Sequence, residues 1–137
     1  MFNLEKFLLA QQNTYSTALK EISCGKKYSH YMWFIFPQLK ALGLSNTAKY
    51  YGIENLQEAK DYLNHPILGA RLKEISTALL KHNNKTAVDI LGDIDAIKLC
   101  SSMTLFAVIS NKDSVFHKVL NKYFNGIMDP LTLKEIT

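Results

Sequence analysis

Two groups of polar side chains lie inside otherwise apolar stretches, and they are where this chain could do chemistry. The first is Lys27, Ser29, His30 and Gln38, set around Trp33, the only tryptophan. Histidine donates, accepts and changes charge near neutral pH, so His30 is the best lone candidate for a general acid or base. Its structural alternative is a buried or cap-adjacent imidazole with satisfied hydrogen bonds. The second group is Lys98, Ser101, Ser102 and Thr104. On a helix, Lys98 lies three and four residues from the two serines and shares a face with them. A lysine beside two hydroxyls can hold an anion such as a phosphate, and strong burial can turn a lysine into a base. The competing reading is a lysine that snorkels to water, with hydroxyls bonded back to their own helix.

Weaker candidates follow from single residues. Arg71 can pair with a carboxylate or phosphate, but a surface ion pair is the plainer reading. Asp93 and Asp95 can serve as acid or base carboxylates, but they read first as caps at the start of a helix. Gln11 interrupts the apolar face of the first helix, either to reach a buried polar group or at the border of the face. The sequence has no phosphate-cradling GxxxxGK[ST], no GxGxxG, no HExxH and no GxSxG. His30, His65, His82 and His117 are scattered, with no spacing suited to zinc or calcium. No cofactor is expected. Cys24 and Cys100 are far apart and read as reduced, small apolar packers.

Helices must position these groups. Apolar residues recur at Leu4, Phe7, Leu8, Tyr15, Ala18, Leu19 and Ile22, which predicts one long amphipathic helix, capped by Asn3 and ended at Gly25. Residues 30–36 predict a short buried helix ended by Pro37, with a turn at Gly43. Ser45 caps a helix through Tyr51, stopped by Gly52. Asn55 and Glu58 resemble a capping box opening a helix to Leu63. Pro66 is expected in the first turn of the next helix, whose inner face is Leu68, Leu72, Ile75 and Leu79. Thr86 and Gly92 bracket a further short helix. The stretch from Asp93 to Ile109 is apolar on nearly every side and belongs in the middle of the domain. Ser114 to Phe124 and the segment after Asp129-Pro130 complete the series. No stretch alternates apolar and polar residues long enough to suggest a sheet. The fold class is therefore all-α, a single compact domain over residues 1–137 with seven or eight helices of uneven length.

Composition narrows the function classes. A chain of 137 residues with 47% hydrophobic and 20% charged residues is globular and long enough to bury its own core. The net charge of +4 is mild, and the lysines are spread along the chain. That argues against a nucleic-acid surface and is compatible with a small anionic ligand. No apolar run is long enough for a membrane span, and no secretory leader is evident, so a cytoplasmic protein is expected. Nothing in the sequence decides its oligomeric state.

The run Ser29-His30-Tyr31-Met32-Trp33-Phe34-Ile35-Phe36-Pro37-Gln38-Leu39, followed by Leu42-Gly43, resembles the hallmark of a bacterial family. That family is the domain of unknown function 1810, some members of which carry the label calpastatin. Tyr62 to Leu72, Lys98 to Phe106, Val115-Phe116 and Tyr123-Phe124-Asn125-Gly126 resemble it too, so the likeness covers essentially the whole chain. Tyr31 stands where the family pattern has a tryptophan. The resemblance implies a small, mostly α-helical single domain and supplies no established activity. Its signature polar residues fall on Ser29, His30, Gln38, Lys98, Ser101 and Ser102.

Together these readings give an expectation with alternatives. A polar pocket forms between the His30 segment and the Lys98–Ser102 helix and takes a small anionic ligand. In the catalytic version it is a hydrolase for a nucleotide or ADP-ribose derivative. His30 then acts as acid or base, Lys98 holds the anion, and Lys27, Ser29, Trp33, Gln38, Ser101 and Ser102 bind. The first alternative is a non-catalytic ligand- or protein-binding module. The second is that no pocket exists and the polar groups lock the core.

Overall fold

The computed structural model describes residues 3–137. Ten α-helices and one 3-10 turn, Lys40–Leu42, account for the regular structure of these residues. The helices are α1 (Glu5–Gln11), α2 (Tyr15–Cys24), α3 (Met32–Ile35), α4 (Asn46–Tyr50) and α5 (Leu56–Asn64). They continue as α6 (Leu68–Leu80), α7 (Ala87–Leu91), α8 (Asp93–Val108), α9 (Val115–Phe124) and α10 (Pro130–Ile136). The all-α expectation holds, with ten helices where seven or eight were expected.

One added helix comes from the N-terminal stripe, which is two helices and not one. Thr14 leaves helical geometry at φ −121°, so the chain turns between α1 and α2. Threonine and asparagine are weak helix formers, and Asn13-Thr14 supply the break that the apolar spacing hides. Leu4, not Asn3, occupies the cap position of α1, and no side chain caps it. Gly25 does end α2, in the left-handed conformation at φ 84°.

Caps set most other boundaries. Ser45, Asn55, Ser114 and Asp129 each accept a hydrogen bond from a backbone amide in the first turn of the next helix. Thr86 and Asp89 form a complete capping box on α7. The box expected at Asn55 is half formed, because the Glu58 carboxylate takes the Glu54 amide instead. Pro66 lies before α6, not in its first turn. His65 Nδ1 accepts from the amides of Ile67 and Leu68 and does the capping there.

α8 is the central helix, packed by α9, α7, α10, α5 and α3. Leu99, Met103, Leu105 and Phe106 on it are fully buried. A line of rings crosses the core: Phe7 meets Tyr62 edge-on at 5.1 Å, Tyr62 meets Phe106 at 5.6 Å, and Phe106 meets Phe116 at 5.7 Å. These separations lie in the favourable range for aromatic pairs and tie α1, α5, α8 and α9 together. Gln11 is buried among them. Its amide nitrogen donates to Phe34 O at 2.7 Å and Tyr62 Oη at 3.0 Å, while Arg71 donates to its oxygen at 3.2 Å. Gln11 thus reaches buried polar groups and fastens the last turn of α3, where the candidate site begins. Among the described residues, no helix is long and apolar enough to cross a membrane.

Candidate functional site

The segment after α2 carries Lys27, Ser29 and His30 toward α3, and α8 faces it. Glu21, on the last turns of α2, gathers this segment. Its carboxylate accepts from the amides of Tyr28 and Ser29 at 2.9 and 3.1 Å, from Ser29 Oγ at 2.7 Å and from Tyr31 Oη at 3.0 Å. Burial opposes its ionisation, but these hydrogen bonds outweigh that and hold the carboxyl at about 2. Burial, reinforced by the bond to Glu21, pushes the Tyr31 phenol well above its ordinary value, so Tyr31 stays a donor.

Beyond Tyr31 the charges alternate. Lys27 Nζ lies over the Tyr31 ring at 4.7 Å and pairs with Asp95 at 2.8 Å. The Lys27 side chain is only 5% exposed and that of Asp95 22%, so this ion pair is partly buried. On the far side of Asp95 stands Lys98, at 3.9 Å, with its side chain 28% exposed. Lys98 Nζ also sits over the Trp33 ring at 5.5 Å. Two cations therefore share one carboxylate. The tight partner is Lys27, and the looser one, Lys98, keeps much of its charge available to solvent.

Lys27, His30, Tyr31, Met32, Trp33, Asp95 and Lys98 line a common cavity of about 90 Å³. His30 and Lys98 thus converge from two distant parts of the chain. Ligand pockets usually span ~300–1,000 Å³, so this one admits a headgroup and not a whole nucleotide. His30 is exposed at the rim.

The other predicted residues are placed differently. Ser29 Oγ is spent on Glu21 and serves the segment's shape. Gln38 lines a neighbouring cleft with Trp33, Gly52 and Lys98, whose free volume is only about 10 Å³. Ser101 turns away from Lys98 and bonds Asp129 at 3.1 Å and Ile97 O at 3.2 Å, on the α10 side. Ser102 is fully buried four residues after Lys98, and its hydroxyl has no partner among the described residues. Thr104 accepts from the Asp129 amide. Cys24 is exposed, not packed, and Cys100 is half-buried.

Two residues that shape the candidate cavity were not assigned to it from the sequence. Asp95 reads as a helix cap, yet its spacing of three residues before Lys98 places both on one helix face, which is a usable signal. Glu21 gives no such signal. Its role depends on a carboxylate at the end of α2 meeting four donors in a segment seven to ten residues later.

The family model described as "Protein of unknown function (DUF1810)" matches residues 1–136. The chain belongs to the DUF1810 family. A bacterial relative of the chain has been solved, the conserved hypothetical protein Rv1873 from Mycobacterium tuberculosis. It is 41% identical, over 98% of this chain and 96% of that one, with a TM-score of 0.96. Comparison with curated proteins gives no match. DUF1810 membership thus fixes the fold and brings no activity with it.

Proposed function

We propose that the cavity between α3 and α8 binds the anionic headgroup of a small ligand. The observation that carries this reading is the sharing of Asp95 by two lysines. Lys27 holds that carboxylate closely, which leaves Lys98 under-neutralised in a cavity that also holds His30. A phosphate or carboxylate entering there gains a charge-assisted bond from Lys98 in a partly desolvated setting. The rest of the ligand lies outside, where the half-buried Trp33 ring gives a surface for a base or other flat group.

The finer form of the proposal is hydrolysis of a nucleotide or ADP-ribose derivative. Water attacks the centre next to the bound anion, His30 takes the water proton, and the leaving group departs with the bonding electrons while Lys98 holds the charge. Non-catalytic binding is the second reading, and one observation favours it. No hydrogen bond from another described side chain orients the His30 ring, whereas catalytic imidazoles are usually oriented by a partner.

Isothermal titration with inorganic phosphate, ADP and ADP-ribose, followed by product analysis, tests both forms. Lys98→Ala is expected to weaken binding about tenfold or more, the scale of one charged hydrogen bond. Unchanged affinity in that variant removes the anion site. Product formation that vanishes in His30→Ala supports the hydrolase, while binding without product leaves a sensor or binding module.

A further inference from the structure

A larger concavity lies on the opposite side of α8. It has a volume of about 640 Å³ and is bounded by α7, the first half of α8, the end of α9 and the start of α10. Asp93, Ile97 and Cys100 line it at spacings of four and three residues, which place them on one helix face. Asp95 and Lys98 belong to the other face. The groove is therefore separate from the anion cavity, and its reading does not rest on that one.

We propose that this groove is a second binding site, for a small molecule with an apolar body and one cationic head. Its volume falls inside the ~300–1,000 Å³ range of small-molecule sites. Val88, Ile97 and Ile127 line it and are 48%, 66% and 65% exposed. Phe124 and Met128 line it as well. Large aliphatic side chains clustered in one open concavity mark a binding surface, where scattered ones would not. The charge selects the ligand. Asp93 and Asp129 are the charged side chains among the lining residues, and no lysine or arginine joins them, although the chain as a whole carries a net +4. Asp129 accepts from Thr132 and Ser101 on one oxygen, Oδ2. Asp93 is more exposed and has no ion pair among the described residues, so it is the freer carboxylate for an ammonium head. An apolar acid would face this carboxylate with no cation to receive it. A second copy seated on the same patch would set Asp93 near its equivalent, which opposes self-association.

The test follows amide shifts of the ¹⁵N-labelled protein by NMR while n-octylammonium is added below its micelle concentration, with octanoate and octanol as probes of equal chain length. Saturable shifts confined to the groove are expected with the amine. Asp93→Asn should weaken its binding about tenfold, as loss of one charge contact implies. Ile97→Lys, a change at an exposed position, should abolish it. Octanoate that binds as tightly as the amine overturns the proposal, as does unchanged affinity in Asp93→Asn. So does sedimentation showing a dimer that Ile97→Lys dissociates, because the groove is then a self-interface.

Discussion

Glu21 does not line the cavity between α3 and α8, yet the segment carrying His30 is strung from its carboxylate. The sign of its pH effect follows from its depressed folded-state value. Above the ordinary value of 4.5 the unfolded chain is ionised too, and the four hydrogen bonds contribute fully. As pH falls from 4.5 toward about 2 that contribution is lost. Glu21 is partly exposed, so solvent screening limits its worth to about 1–2 kcal/mol. Glu21→Gln should be less stable than the parent by that amount at pH 7, and the gap should narrow as urea unfolding is repeated at pH 4 and then 3. A gap undiminished at pH 3 would rule out the carboxylate as its source. Ser102 calls for the opposite substitution. A buried hydroxyl without a partner costs about 1–3 kcal/mol, and alanine is the better helix former. Ser102→Ala is expected to raise the denaturant midpoint by the equivalent of ~0.5–2 kcal/mol. A lowered midpoint would mean that the hydroxyl is bonded after all.

Elements explain why some of this was legible in the sequence. α8 could be read because an all-round apolar helix has one place to go, the middle. The helices after Ser45, Asn55, Thr86, Ser114 and Asp129 could be read because their caps are local chemistry. The first helix misled because apolar spacing reports a face and not continuity, so the break at Asn13-Thr14 passed unseen. Trp33, His30 and Lys98 could be singled out by type, but Ser101 could not be separated from Ser102. Adjacent residues on a helix point about 100° apart, and only tertiary packing tells which face meets α3. The junction of α5 and α6 was likewise invisible. A Cβ placed on Gly69 would be driven into the carbonyl of Leu63, so two backbones meet where no side chain fits. Gly69→Ala should therefore destabilise by about 1–3 kcal/mol, in the range of an overpacked core, although alanine favours helix in isolation. Thermal melting distinguishes the two, since a raised midpoint would show that the helices have room to part.

At the scale of the molecule, α8 separates two concavities of opposite character, a small cationic one against α3 and a large apolar one beside α7, α9 and α10. The line of rings from Phe7 to Phe116 ties α1, α5, α8 and α9 together, while non-helical segments at residues 27–31 and 125–129 complete the walls of the two concavities. A different part of the shell is open to change. Residues 40–52 leave and rejoin the body beside a parallel bridge at Leu39 and Ile53, closed by Lys40 N to Ile53 O at 2.8 Å and Ile53 N to Gln38 O at 2.9 Å, and Tyr51 packs back on Phe7 and Phe34. Near the middle of that excursion Leu44 is 95% exposed, just before the Ser45 cap. Chain ends that emerge side by side from a tied neck can carry cargo without straining what lies beneath. A short peptide tag grafted between Gly43 and Leu44 should leave the melting temperature within a few degrees of the parent, the span of about 1 kcal/mol. The excursion thus offers a handle for immobilising the protein with both concavities left open to solvent.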